Sequence, residues 1–143
     1  MDHASKPITK FTPQEALACS MVLMAVCDGA MTDAELNMLS RLATELPCFK
    51  GLGGSEIEAV TEVCLRQLAR ADGLDTLTGM ICDALPPRLR ETAYLLACEA
   101  AAADGDVSQD ELRFLQDFRI ALDIDRLIAG AIERASRARY QVI

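Results

Sequence analysis

The sequence predicts an all-α protein: a compact bundle of about seven helices with an internal pseudo-twofold repeat of helical hairpins. Three observations predict this fold. Helix-capping patterns recur along the chain. Apolar residues follow helical spacing, and no stretch shows the sustained period of two that is typical of a strand. One short pattern also occurs twice, at 26–36 and at 102–112.

The capping patterns place most of the helices. Capping boxes, in which a Ser or Thr precedes a Glu by three positions, are Thr12 with Glu15, Thr32 with Glu35, Ser55 with Glu58, and Ser108 with Glu111. Asp75 and Asp123 are predicted as further N-caps. Pro86-Pro87 interrupts the chain before another apolar run. The predicted helices are 13–27, 33–46, 56–71, 76–84, 87–103, 109–121 and 124–139, with one clear loop at 47–54.

Two helices are predicted to form the centre of the bundle. Helices 13–27 and 87–103 are apolar on nearly every side, which is typical of fully surrounded helices. The others carry one apolar stripe each: Leu36, Leu39, Leu42, Ala43 and Leu46 on the second helix, and Leu112, Leu115, Phe118 and Leu122 on the sixth. Residues 1–11 are predicted to be a disordered tail and 12–143 a single domain.

The repeated pattern predicts a tight turn between two helices. In each copy an apolar helix ends in Asp-Gly, a hydroxyl residue follows, and a Glu lies three positions further on. Gly29 and Gly105 suit the left-handed residue that ends a helix. Asp28 and Asp104 have no such structural explanation, because an acid at a helix C-terminus opposes the helix dipole.

These acids make a metal site one hypothesis. Each turn brings the acid that ends one helix near the Glu that begins the next, and Asp106 adds a third acid in the second copy. Clusters of oxygen ligands suit hard cations such as Ca²⁺, Mg²⁺ or Mn²⁺. The spacing is not that of an EF-hand, because Gln109 and Leu115 stand where that loop needs Gly and Glu. Acids near turns are also commonly just solvated, so both interpretations remain open.

The duplicated hairpin resembles the TerB family of tellurite-resistance proteins, and the N-terminal region of a membrane-anchored DnaJ-like protein is similar. The resemblance covers roughly residues 12–140. It implies a bacterial protein linked to tellurite and other stress responses. It also implies divalent-metal binding by acids that fall on Asp28, Glu35, Asp104, Asp106 and Glu111. Ala30 stands where the second copy has Asp106, so the predicted site is asymmetric.

Composition narrows the remaining function classes. A net charge of -8 argues against a nucleic-acid partner. His3 is the only histidine and lies in the predicted tail, which argues against His-dependent nucleophilic catalysis and predicts a protein that is not an enzyme. Six cysteines without a CxxC pair or a nearby His are expected to be reduced thiols in a cytoplasmic protein. Neither long apolar run reaches the roughly 18 residues of a membrane span.

The sequence therefore predicts a non-enzymatic TerB-like module of a bacterial stress system that binds a divalent cation at its Asp-Gly hairpins. The alternative is a protein-interaction scaffold in which the acids only cap helices. Other proteins are the expected partners, and the basic last helix, with Arg126, Arg134, Arg137 and Arg139, suits an acidic one. Glu99 interrupts an apolar run and needs a partner if it is buried.

Overall fold

Seven α-helices and one short 3-10 turn make up the secondary structure of the described residues, which are 9–26, 32–103, 105 and 107–143 of a computed structural model. The helices are α1 (Pro13–Val26), α2 (Asp33–Glu45), α3 (Gly54–Leu68), α4 (Gly73–Ala84), α5 (Pro87–Ala102), α6 (Gln109–Ala121) and α7 (Arg126–Arg139). The 3-10 turn is Pro47–Phe49. The described residues contain no strand, so the all-α prediction is confirmed.

Helices α1 and α5 lie at the centre and pack mainly against each other. Helices α3 and α4 cover α1, whereas α6 and α7 pack on α5. Every residue from 16 to 25 of α1 is buried, and Met21 and Leu96 are both fully buried. The prediction that these two helices form the core is confirmed, because a helix with almost no polar side must be surrounded by others.

The two repeated hairpins bury equivalent positions. In α2 and α6 the buried pairs, each 76 positions apart, are Met38 with Phe114, Leu39 with Leu115, and Leu42 with Phe118. The predicted stripes are wrong in the first helical turn, where Leu36 and Leu112 are 48% and 49% exposed. Glu35 and Glu111 are buried there instead. Both helices therefore turn a carboxylate inward and the adjacent leucine outward.

Two helices begin earlier than predicted. Helix α3 begins at Gly54, and Glu56, rather than Glu58, accepts the capping hydrogen bond, from the Gly53 N–H at 2.9 Å. Helix α4 begins at Gly73, so Asp75 lies in its first turn and is not the N-cap.

Helix α7 begins two residues later than predicted, at Arg126. Its N-cap is Asp125, whose Oδ2 accepts from the Leu127 N–H at 3.0 Å. The predicted cap, Asp123, instead adopts a positive φ of 56° in the preceding turn. Asp tolerates this left-handed conformation better than most residues do.

A glycine allows α4 to follow α3 without a long loop. A Cβ at Gly73 would lie 1.6 Å from the Gln67 carbonyl oxygen, at the end of α3. No side chain fits there, so this close approach requires glycine. The sequence Ala71-Asp72-Gly73 therefore marks a tight junction between the two helices.

The chain before α1 and the loop after α2 both contribute apolar contacts. Residues 1–8 of the predicted tail lie outside the described residues, whereas Phe11 is buried in the core. In the 47–54 loop Phe49 is also buried. The Gln14 side chain donates to the Cys48 and Lys50 carbonyl oxygens at 3.1 and 2.9 Å, which attaches the loop to α1. No described helix has the length and apolar character needed to cross a bilayer.

Candidate functional site

Two of the five predicted metal ligands lie within the described residues. These are Glu35 and Glu111, at equivalent positions in the first turns of α2 and α6. Asp28, Asp104 and Asp106 lie outside the described residues. Within the described ranges no three His, Cys, Asp or Glu side chains come together in a way that could hold a metal ion. Of the predicted ligand set, the structure therefore describes only the two glutamates at the starts of α2 and α6.

Both hairpins contain the predicted capping boxes. The Thr32 hydroxyl accepts from the Glu35 N–H at 3.1 Å, and Glu35 Oε1 accepts from the Thr32 N–H at 3.0 Å. In the second copy the Ser108 hydroxyl and Glu111 Oε1 accept the corresponding bonds, both at 3.1 Å. These bonds satisfy N–H groups that have no partner within the helix. The structural role predicted for both glutamates is confirmed.

The turn before α6 ends α5 as the sequence predicts. Gly105 has a φ of 81°, in the left-handed region, and its N–H donates to the Ala102 carbonyl oxygen at 3.0 Å. This conformation is typical of the residue that terminates a helix. Its counterpart in the first copy, Gly29, lies outside the described residues.

Burial distinguishes the two repeated glutamates from the other capping glutamates. Glu35 and Glu111 are only 3% and 6% exposed. Glu15 makes the same cap on Thr12, at 2.8 Å, while half-buried, and Glu56 caps α3 while exposed. A glutamate can thus cap a helix without being buried. Capping does not explain why the repeat turns both of its carboxylates inward.

The buried carboxylate of Glu111 has little cationic compensation from the described residues. No described Lys or Arg forms an ion pair with it. The one salt bridge among the described residues joins Arg139 to Glu99. The N-terminus of α6 supplies partial positive charge and the Ser108 N–H supplies a hydrogen bond. A buried carboxylate is costly unless it is fully paired, so a cation near Glu111 would lower its free energy.

A third buried carboxylate, Glu99, lies on α5 and forms an ion pair with Arg139 of α7. Glu99 is 2% exposed, and its Oε1 is 3.1 Å from Nε of Arg139. Burial raises the pKa of the Glu99 carboxyl, and the opposing influences come from Arg139, then Tyr140, then Arg41. Glu99 Oε2 makes no hydrogen bond to any described residue. The sequence showed that this acid interrupts an apolar run, but it could not show which residue would pair with it.

The family model for tellurite resistance protein TerB matches residues 14–132. The chain belongs to the TerB family. The matched residues include both hairpins and all five predicted ligands. The chain is therefore a helical module of the tellurite-resistance type, as the duplicated hairpin indicated. No curated protein and no solved structure shows significant similarity to this TerB chain.

Proposed function

We propose that this TerB chain is a non-enzymatic module of a bacterial stress system that binds a divalent cation at its Asp-Gly hairpins. Glu35 with Asp28 would contribute ligands in the first hairpin, and Glu111 with Asp104 and Asp106 in the second. A hard cation of the Ca²⁺, Mg²⁺ or Mn²⁺ class suits these oxygen ligands.

One observation carries this proposal: the paired burial of Glu35 and Glu111. Of the four capping glutamates in the described residues, only these two are buried, and they are the two that follow an Asp-Gly pair in the sequence. In both copies the neighbouring leucine is left exposed. Burying a carboxylate removes it from water, and exposing a leucine leaves apolar surface in water, so both changes are unfavourable. A bound cation would recover part of that cost.

Capping and metal binding are compatible in Glu111. The cap engages Oε1, through the bond from the Ser108 N–H. The cap does not use the other carboxylate oxygen, Oε2, so this oxygen can serve as a ligand without opening the cap. Helix α6 would then hold this oxygen in a fixed position beside the turn.

Thermal unfolding with and without Ca²⁺, Mg²⁺ or Mn²⁺ tests the proposal. Binding at 100 times the dissociation constant stabilises a folded protein by about 2.7 kcal/mol. For a chain of 143 residues this raises the melting temperature by roughly 9 °C. Glu111→Gln should reduce the rise while leaving the unliganded fold nearly as stable, because Gln also closes a capping box.

The matched control is Glu56→Gln, which alters an exposed capping glutamate and should leave the metal-induced rise unchanged. The two hairpins can also be ranked. The second offers more carboxylates, so Asp104→Asn with Asp106→Asn should abolish the rise, and Asp28→Asn should reduce it less. If Glu111→Gln and the parent bind the cation equally well, Glu111 is not a ligand.

A protein-interaction scaffold is the second candidate, and the exposed apolar residues favour it. Leu36 and Leu112 are exposed at equivalent positions of the two hairpins, and Leu127 is 83% exposed at the start of α7. Exposed leucines at matched positions suit a protein partner. If none of the three cations changes the melting temperature, the metal proposal is wrong and the scaffold becomes the better explanation.

A further inference from the structure

A groove of about 560 Å³ lies between α5, α6 and α7, beside the second hairpin, whose residues Gly105, Val107 and Leu112 also line it. Small-molecule sites in proteins commonly measure roughly 300–1,000 Å³. Residues from all three helices line the groove, among them Tyr94 and Ala101 of α5, Leu115 of α6, and Ala129 and Ser136 of α7. The family match ends at residue 132, so the second half of α7 lies beyond it.

Small and apolar residues form part of the groove's lining. Ala101, Leu115 and Ala129 line the groove and are buried, whereas the lining residues Val107 and Leu112 are 39% and 49% exposed and offer apolar surface to a ligand. Gly130 lines it as well, and a Cβ built there would meet no atom within 4 Å. An apolar ligand body can therefore lie against this surface and exclude water from it.

Two polar features give the groove fixed hydrogen-bonding groups. The Tyr94 hydroxyl donates to Glu133 Oε2 at 2.6 Å, which holds both side chains in place. Ser136 is 2% exposed, and its hydroxyl makes no hydrogen bond to any described residue. An unpaired buried hydroxyl is unfavourable, so a ligand that hydrogen-bonds to it would gain free energy.

The described lining residues carry a net positive charge, opposite in sign to that of the whole chain. Arg119, Arg126 and Arg137 line it, and none forms an ion pair with a described acid. Glu133 is the one acid among the described lining residues, and it already accepts the Tyr94 bond. Arg126 and Arg137 lie at opposite ends of α7, about 16 Å apart along its axis. Three arginines against one engaged acid among the described lining residues, on a chain of net charge -8, favour an anionic ligand.

We propose that this groove binds a small amphipathic organic anion. Its apolar body lies against Val107, Leu112 and Gly130. Its acid group pairs with Arg126 or Arg137 at one end of the groove. The acid is a carboxylate or a phosphate monoester, because an arginine fork binds both. None of the five predicted metal ligands takes part in these contacts, and the two proposals are tested with different probes, a divalent cation and an organic anion, so each can fail in its own experiment.

Calorimetric titration with decanoate and with decyl phosphate, both below their micellar concentrations, tests the proposal. We expect saturable binding of at least one, and the tighter of the two identifies the acid group. Decan-1-ol, which lacks the charge, should bind about tenfold more weakly, a difference of about 1.4 kcal/mol. Binding that fails to saturate by about 1 mM for both anions overturns the proposal.

Two matched pairs of variants locate the site. Gly130→Leu fills the groove and should weaken binding by about tenfold or more. Gly79→Leu makes the same change in α4, where a Cβ also meets open space, and should have no effect on binding. Arg126→Gln or Arg137→Gln should weaken binding of the anion, whereas Arg134→Gln, an exposed residue of α7 that does not line the groove, should not. If Gly130→Leu binds the anion as the parent does, the groove is not the site.

Discussion

Replacing Arg139 with Gln should destabilise this TerB chain in a pH-dependent way, because Arg139 is the ion-pair partner of the buried Glu99. The Arg139 Nε atom lies 3.1 Å from Glu99 Oε1, and Glu99 is 2% exposed. Breaking a buried ion pair by removing one partner commonly costs about 3–5 kcal/mol. Arg139 is itself 56% exposed, so solvent screens the pair and we expect a smaller loss, about 1–2 kcal/mol near neutral pH.

The direction of the pH dependence follows from the pKa of Glu99. Burial raises this pKa in the folded protein above its unfolded value, so the free energy of unfolding falls as the pH rises through that range. Arg139 is the largest influence that lowers the pKa, ahead of Tyr140 and Arg41. Arg139→Gln therefore raises it further and steepens the fall. Well below both pKa values Glu99 is protonated, and the substitution loses no ionic attraction.

Urea unfolding of the parent and of Arg139→Gln, at about pH 4 and about pH 8, measures this effect. The loss of stability should be larger at the higher pH. The substitution also removes the contact between the Arg139 guanidinium and the Tyr140 ring, at 5.9 Å, which adds a small loss at every pH. Arg134→Gln, an exposed change on the same helix, is the control and should have little effect at either pH.

A double-mutant cycle tests whether the loss arises from Glu99. In a Glu99→Gln background, Arg139→Gln should lose its pH dependence, because no carboxylate remains to be ionised. An equal loss of stability at both pH values would refute the reasoning. So would a pH-dependent loss that survives in the Glu99→Gln background.

Three further predictions concern the stability of two glycine variants and the reactivity of one thiol. Gly105→Ala should cost about 1–2 kcal/mol in thermal unfolding, because alanine is strained at a φ of 81°. Gly73→Ala should cost more, about 3 kcal/mol or above, because its Cβ would overlap the Gln67 carbonyl oxygen; equal losses would contradict this account of the α3–α4 junction. Burial raises the pKa of the Cys98 thiol to about 12, so iodoacetamide at neutral pH should not label it in the folded protein. Mass spectrometry that finds Cys98 alkylated as fast in the native state as in urea would show that the thiol is accessible.

Local features were predictable because each depends on residues close together in the chain. A capping box needs only a hydroxyl and a Glu three positions later, and the boxes beginning with Thr32 and Ser108 form as expected. The left-handed Gly105 follows from the helix that it ends. The central position of α1 and α5 was also predictable, because a helix without a polar face has few other places in a bundle.

Exact helix starts and the orientation of the first turns were harder to predict. Asp123 and Asp125 are both good N-cap residues, and the packing of the preceding turn decides between them. Likewise, helical spacing placed Leu36 and Leu112 on the buried stripe, but both are exposed. One helical turn contains too few residues for periodicity to distinguish a leucine from the glutamate beside it.

The sequence by itself determined the helices, most of their caps and the duplicated hairpin, because hydrophobic periodicity and capping act over a few residues. Only the tertiary structure decided how Glu99 pairs with Arg139, how Tyr94 reaches Glu133, and that three helices leave a basic groove between them. Glu99 and Arg139 are 40 positions apart, and Tyr94 and Glu133 are 39 apart. No local pattern connects such residues, because their contact depends on how α7 packs against α5.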